Sequence, residues 1–431
     1  MLCPTSPSER VSFVNFDRRP MVLVGATTWW PLSARLAMAF LRHGCRVAAI
    51  CPPGHPLRFV EGIETVYTYR GLDSLRSLQA AVTASNPDLI APCDDGVVWQ
   101  LHLIHEAEPA LRTIIERSLG PAEHYATIRS RGQFLLAAQE LGIRIPETQT
   151  IESADQLQRW PLESPGVIKL DGTWGGSGVV IARSRQEALA AYERLSTPVG
   201  IGTVLKRWFV NRDPLALWSL HGREKSTVSI QQFIPGRPAN TMMACWNGQL
   251  LASVSVEVLS AQGATGAATV VRVIDHPEIE QAARLIAFRF QLTGCYGLDF
   301  MLDDETNAAY LIELNPRATQ LGHLRLEGQG DLAHLLAEQL GASIDSSRTT
   351  DCAVGSTIAF FPQAFNWNPK SAYLRTAYHD VPWEQPGLVR ELLRPIWPER
   401  QTLYRFYHRI RPLRPQVEAK FDEAPKTAAI R

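Results

Sequence analysis

Several features that would narrow this chain's role at once are missing from it. It has no net charge, because 43 Lys and Arg residues balance 43 Asp and Glu among 431. A neutral chain exerts no global pull on nucleic acid or on an anionic lipid surface, so nucleic acid is not expected as a partner. No run approaches the ~18 uncharged apolar residues that a membrane-spanning helix requires. The most apolar stretches, such as Leu32–Leu41, are short and interrupted by charge or proline. Near the N-terminus, Glu9, Arg10, Asp17, Arg18 and Arg19 stand where a secretory signal would carry its apolar core. Cysteine is scarce: Cys3, Cys45, Cys51, Cys93, Cys245, Cys295 and Cys352 are scattered, odd in number and free of any C-x-x-C spacing. They read as reduced thiols rather than as a disulfide framework or a zinc site. The expectation is a cytoplasmic globular protein, with length for two to four domains.

What is present begins with alternation. Met21–Val24, Arg46–Ile50 and Asp88–Ala91 read as short strands, and Ser33–His43 and Leu75–Ser85 as helices between them. Such alternation implies a small, doubly wound parallel sheet. Gly-Ala-Thr-Thr-Trp-Trp follows the first strand and lacks the later glycines of a dinucleotide fingerprint. Residues 125–145 read as one helix, Val167–Leu170 and Val228–Ile234 as strands, and Met242–Trp246 with Gln249–Val258 as a hairpin about Asn247-Gly248. Helix Pro277–Phe290 then leads into strands Gly297–Leu302 and Ala309–Leu314. From about residue 345 aromatics and prolines multiply, and Arg390–Arg414 holds seven arginines against two glutamates.

Two constellations carry chemistry. Lys169 closes the strand Val167-Ile-Lys169 and is followed by Gly172, Gly175, Gly176, Ser177 and Gly178. A lysine fixed at a strand end, followed by a loop whose backbone N–H groups are unobstructed, suits phosphate oxygens. No G-K-[ST] is present, so this is not a Walker A loop. The second constellation is Gly297-Leu-Asp299 followed by Leu311-Ile-Glu313-Leu-Asn315-Pro-Arg317. Strand alternation points Glu313 and Asn315 the same way, and Asp299 on the neighbouring strand can join them. Two carboxylates and a carboxamide oxygen suit Mg²⁺ held against phosphates, and Arg317 adds a planar donor fork.

In this order, with the hinge Gln231-Gln-Phe-Ile-Pro-Gly236 between them, the motifs make the chain resemble the ATP-grasp superfamily over roughly residues 20–340. Within it the chain is similar to the branch of carboxylate–amine ligases and of carbamoyl-phosphate-synthase-like and biotin-carboxylase-like proteins. The resemblance implies an α/β and α+β architecture. An extension over residues 1–19 would precede a doubly wound pre-ATP-grasp domain over 20–120. An ATP-grasp domain over 121–342 and a C-terminal accessory segment over 343–431 would follow. It implies ATP with Mg²⁺ or Mn²⁺ as cofactors, and Asp299, Glu313 and Asn315 as metal ligands. Lys169 would contact ATP phosphate beneath a lid made by Gly175, Gly176, Ser177 and Gly178. Arg131, eleven residues before Gly142, stands where the family has a nucleotide-binding lysine. Backbone groups of Gln232, Phe233 and Ile234 would receive adenine, while Pro238 replaces a glutamate that often binds ribose. Arg317 would steady the transferred group, and Arg272 is a candidate for binding a substrate carboxylate. Gln320, His323 and Arg325 follow where an acceptor would approach, with His323 a candidate general base.

The activity implied is enzymatic: a carboxylate activated as an acyl phosphate and joined to an amine or thiol, with ADP and phosphate released. Two alternatives accompany it, bicarbonate activation on the same fold and a non-catalytic ATP-binding regulator. Expected partners are small-molecule carboxylate and amine substrates. A homodimer and a weak surface association through the arginine-rich C-terminus are compatible with the sequence.

Overall fold

The computed structural model describes residues 19–161, 165–170, 178–197, 200–210, 227–263, 266–325, 327, 330–342 and 352–411. The first four strands, β1 Met21–Gly25, β2 Arg46–Cys51, β3 Thr65–Thr68 and β4 Leu89–Pro92, form a parallel sheet in the order β3-β2-β1-β4. Both parities of β1 are buried, since Val22 and Val24 pack toward helix Leu32–Arg42 while Met21 and Leu23 pack toward the helices that follow. That is why these strands read as unbroken apolar runs rather than as alternating ones.

A second sheet joins β5 Thr148–Ile151, β6 Gly166–Leu170, β7 Val179–Ala182 and β8 Val228–Gln232 in the antiparallel order β5-β8-β6-β7. Ile168 and Ile230 face its small core with Leu157 and Trp160. A third sheet has seven strands in the order β13-β12-β9-β10-β11-β14-β15. These are β9 Gly236–Trp246, β10 Gln249–Ala261, β11 Ala268–Val273, β12 Gly294–Asp303, β13 Ala309–Asn315, β14 Thr357–Ala359 and β15 Tyr378–His379. All its pairings are antiparallel except β14 with β15.

The hairpin between β9 and β10 turns on Asn247 (φ 48°) and Gly248 (φ 81°), two left-handed residues whose twist suits a two-residue connection. Gly236 opens β9 so close to the end of β12 that a Cβ there would strike the Leu302 carbonyl oxygen. The expected single helix over 125–145 is two helices, Tyr125–Arg129 and Arg131–Glu140. Ser130 breaks it by leaving the helical region (φ −91°, ψ 107°), and its Oγ accepts from the Gln133 N–H at 3.4 Å as an N-cap.

One face of the seven-stranded sheet packs against helices Pro277–Arg289 and Arg131–Glu140 through Met243, Leu298, Phe300 and Ile286. The other face shares a single apolar cluster with helix Leu32–Arg42 of the first sheet, helix Leu332–Gln339, and Leu388 and Leu392 of helix Pro386–Leu392. The segment expected as accessory thus contributes two strands and part of the main core. We propose residue 120 as a boundary between the first sheet and the rest, whereas residue 342 falls inside the seven-stranded sheet, between β13 and β14. No described helix is long and apolar enough to cross a membrane.

Candidate functional site

The site grows from one edge of the seven-stranded sheet, on strands β13, β12 and β9. Asp299 on β12 lies directly opposite Glu313 on β13 and Asn240 on β9. Leu298 and Phe300 flank it on the reverse, core-facing side. The pairing shifts between Asp299 and Phe300, because Phe300 is opposite Leu311 and Ile312 is left as an extra residue. This bulge has a consequence that simple alternation misses. Leu311 turns into the core with Phe300, while Glu313 and Asn315, two and four residues on, face the site with Asp299.

Hydrogen bonds hold the group in place. Asn240 Nδ2 donates to Asp299 Oδ1 at 2.6 Å and Asn315 Nδ2 to Asp299 Oδ2 at 3.1 Å. Arg131, first residue of its helix because of the Ser130 break, donates from Nη2 to Glu313 Oε2 at 2.8 Å. Arg317 donates from Nη2 to Asn315 Oδ1 at 3.2 Å, and from Nε to Asp95 Oδ2 at 2.9 Å. Burial, and then the charge of Glu313 opposite, push the Asp299 carboxyl up to about 7. Burial would raise Glu313 as well, but Arg131 and then Lys169 outweigh it and hold Glu313 below the usual carboxylate range. Lys169, only 4% exposed on β6, therefore acts on the same site from the second sheet.

The phosphate loop is described only at its margins. Leu170 N–H donates to the Gly178 carbonyl at 2.9 Å, which closes the base of the loop. Gly175, Gly176 and Ser177 lie outside the described residues. At the hinge, the Gln232 N–H goes to Glu147 O at 2.8 Å and the Phe233 N–H to Pro165 O at 3.2 Å. Of the backbone groups expected to receive adenine, the N–H groups of Gln232 and Phe233 are thus already engaged. The strand ends at Gln232 rather than Ile234, because the chain must turn at Ile234-Pro235 to enter β9 at Gly236.

Arg272 is not brought into this group. It lies opposite Glu257 on β10, which in turn lies opposite Ala239 on β9, and that parity belongs to the reverse face of the sheet from Asn240 and Asp299. His323 does sit beyond the β13 end as expected. One ring nitrogen, Nε2, is 2.9 Å from Asp380 Oδ2, and Asp380 Oδ1 accepts from the Phe361 N–H at 2.6 Å. Arg35, 3% exposed on the first helix, lies 3.9 Å from the same carboxylate. Burial pushes the His323 imidazole down despite Asp380, so the ring is neutral near pH 7. No described residue engages its Nδ1. Gln320 is buried nearby in sequence, and Arg325 is half-buried.

Sequence reasoning missed Asp95, Asn240, Asp380 and Arg35. Asp94-Asp95-Gly96 offered a signal, since it follows the carboxyl end of parallel strand β4, where open α/β sheets place ligand-binding groups. Asp94 is spent structurally, capping helix Asp95–Ala107 through the Val97 N–H and binding the Thr27 and Thr28 N–H groups. Asp95 is left to hold Arg317.

Residues 133–320 match the family model of the ATP-grasp domain. Among solved structures, N5-carboxyaminoimidazole synthetase of Staphylococcus aureus is 14% identical over 76% of this chain and 79% of that one, with a TM-score of 0.53. Biotin carboxylase of Campylobacter jejuni is 11% identical over 77% and 72%, with a TM-score of 0.54. The biotin carboxylase domain of the Hydrogenobacter thermophilus 2-oxoglutarate carboxylase, crystallised with MgADP, ADP and bicarbonate, is 13% identical over 78% and 73%, with a TM-score of 0.53. At such identities the likeness is one of fold.

Proposed function

We propose, from the premise that residues 133–320 match an ATP-grasp domain, that the chain is an ATP-dependent ligase that activates a carboxylate and couples it to an amine. The observation that carries this reading is the pair Asp299 and Glu313, two facing carboxylates ringed by Asn240, Asn315, Arg131, Lys169 and Arg317. Two carboxylates forced together, one of them pushed toward protonation by burial and then by the other, form a donor set that a divalent cation satisfies. Asp299, Glu313 and the Asn315 carboxamide are the residues that would hold Mg²⁺ or Mn²⁺. A metal held there would supply charge neutralisation at the phosphates.

The remaining roles follow from the chain's own groups. Lys169 and Arg131 are fixed cations for nucleotide phosphate, and the Ile234 backbone at the hinge is the natural contact for adenine. The substrate carboxylate attacks the γ-phosphorus, the bond to the bridging oxygen breaks, and ADP leaves. Arg317, steadied by Asp95 and Asn315, presents its fork to the transferred group. The amine then attacks the acyl carbon and inorganic phosphate departs. His323, oriented by Asp380, takes the amine proton on Nδ1.

The likeness to folds crystallised with bicarbonate favours one second reading, in which bicarbonate is the carboxylate activated. A screen of candidate acids, bicarbonate included, for acid-dependent nucleotide turnover tests both. ADP and phosphate are expected, and AMP with pyrophosphate would overturn the acyl-phosphate route. Glu313→Gln should lower turnover at least about 100-fold. A protein that shows no turnover with any acid and binds ATP equally well after this substitution is a regulator instead.

A further inference from the structure

The arginine-rich C-terminal stretch meets a second segment that the ligase reading leaves unused. Helix Ile201–Phe209 and helix Thr402–Ile410 are far apart in sequence, yet Lys206 Nζ lies 4.6 Å from the centre of the Tyr407 ring. The first buries only Val204, and the second buries none of its residues. Ile201, Leu205 and Phe209 recur every fourth residue and are 67%, 44% and 55% exposed. Leu403, Phe406 and Ile410 recur at three and four residues and are 54%, 65% and 65% exposed. At helical spacing each trio forms one continuous stripe.

The charges on these two helices are all of one sign. Lys206, Arg207, Arg405, Arg409 and Arg411 lie on or just after the two helices, and neither helix contains an acidic residue. Half-buried Trp208, Tyr404 and Tyr407 complete the surface. Such a surface calls for an occupant that is apolar in its interior and anionic at its boundary. A phospholipid leaflet bearing negative headgroups has both, and aromatic side chains settle at that boundary. Nine-residue helices are far too short to span a bilayer, so they would lie in its plane.

We propose that helices Ile201–Phe209 and Thr402–Ile410 together form a docking surface for an anionic phospholipid bilayer. The chain's zero net charge is consistent with this, since the attraction is local. The proposal is independent of the ligase chemistry.

Flotation of the full-length protein with vesicles tests it. Vesicles of phosphatidylcholine and phosphatidylglycerol in equal parts should carry the protein, and vesicles of phosphatidylcholine alone should not. The double variant Leu205→Asp and Phe406→Asp should lose at least about tenfold in binding. Arg405→Glu with Arg409→Glu should weaken binding most at low salt. These side chains are exposed, so unchanged thermal unfolding of each variant separates loss of docking from loss of fold. Failure of the wild-type protein to float with anionic vesicles overturns the proposal, as does equal flotation of wild type and Leu205→Asp/Phe406→Asp. A dimer in sedimentation velocity that this double variant abolishes, without vesicle binding, would assign the surface to a second copy instead.

Discussion

Asp299 and Glu313 titrate as opposites although they are the same chemical group. Asp299 has amide donors from Asn240 and Asn315, whereas Glu313 has the cations Arg131 and Lys169. Charge neutralisation outweighs neutral hydrogen bonding at a buried carboxylate, so the proton goes to Asp299. The salt bridge between Arg131 and Glu313 brings this guanidinium to the carboxylate pair. Asp380 and Asp95 were illegible because they reach their partners across 57 and 222 residues. The His323–Asp380 pair makes a prediction at this scale. With an acid found in the nucleotide screen, His323→Asn and Asp380→Asn should each slow amide formation about 100-fold or more. Hydroxylamine, already neutral at pH 7, should still trap the activated acid at nearly the wild-type rate. Equal loss with both nucleophiles would make the pair structural, and no product with either in the wild type would count against the ligase reading itself.

Among the elements named from the sequence, apolar periodicity places most within a residue or two, because their buried faces follow the 3.6 and 2 periods closely. It does not place β3, β5, β7, β11 or helices such as Asp95–Ala107 and Arg185–Ser196. Its errors have local causes. Ser130 satisfies N–H groups at a new helix start and so divides residues 125–145, which is what aims Arg131 at Glu313. The bulge at Ile312 was equally hidden, since a two-residue period reads straight through it. Gly236 joins hinge to sheet under a steric limit that the partner strand imposes. Gly236→Ala would put its methyl against the Leu302 carbonyl, a backbone atom with little room to yield. The expected cost is about 1–3 kcal/mol, measurable as a lower denaturant midpoint at unchanged m. A midpoint equal to that of the wild type would show that β9 can shift away from β12 freely.

Over the whole molecule, one apolar cluster runs from Val22 of the first sheet through Val256 and Ile358 of the third to Leu392 near the C-terminus. Two histidines of the first sheet's region govern how this body responds to acid. His55 is fully enclosed, and burial pushes its pKa down to about 3. His102, stacked on Tyr125 at 3.9 Å, is likewise pushed down to about 3, by burial first and then by Arg129. Between about 6.5 and 3 the unfolded chain binds these two protons and the folded chain does not. Through these two rings stability falls as pH drops below about 6.5, by up to about 3 kcal/mol per pH unit. The raised Asp299 carboxyl, which binds a proton between about 7 and 4 only in the folded chain, offsets about half of that. Thermal unfolding midpoints should decline from pH 7 to pH 5, and His102→Gln should flatten that slope. An identical slope in wild type and His102→Gln would contradict neutral burial of that ring.

The sequence by itself determined the parts: the alternating first sheet, the lysine before a glycine-rich loop, and the polar triad Asp299, Glu313 and Asn315. These are local, since periodicity and spacing within a strand or turn express them directly. Tertiary structure decided which parts converge. It placed Arg131 on Glu313, Asp95 on Arg317 and Asp380 on His323, turned Arg272 to the other face of its sheet, and drew two distant amphipathic helices together. Each of those outcomes depends on sheet order, one bulge and a shared core, and contacts made across hundreds of residues leave no periodic trace in the chain.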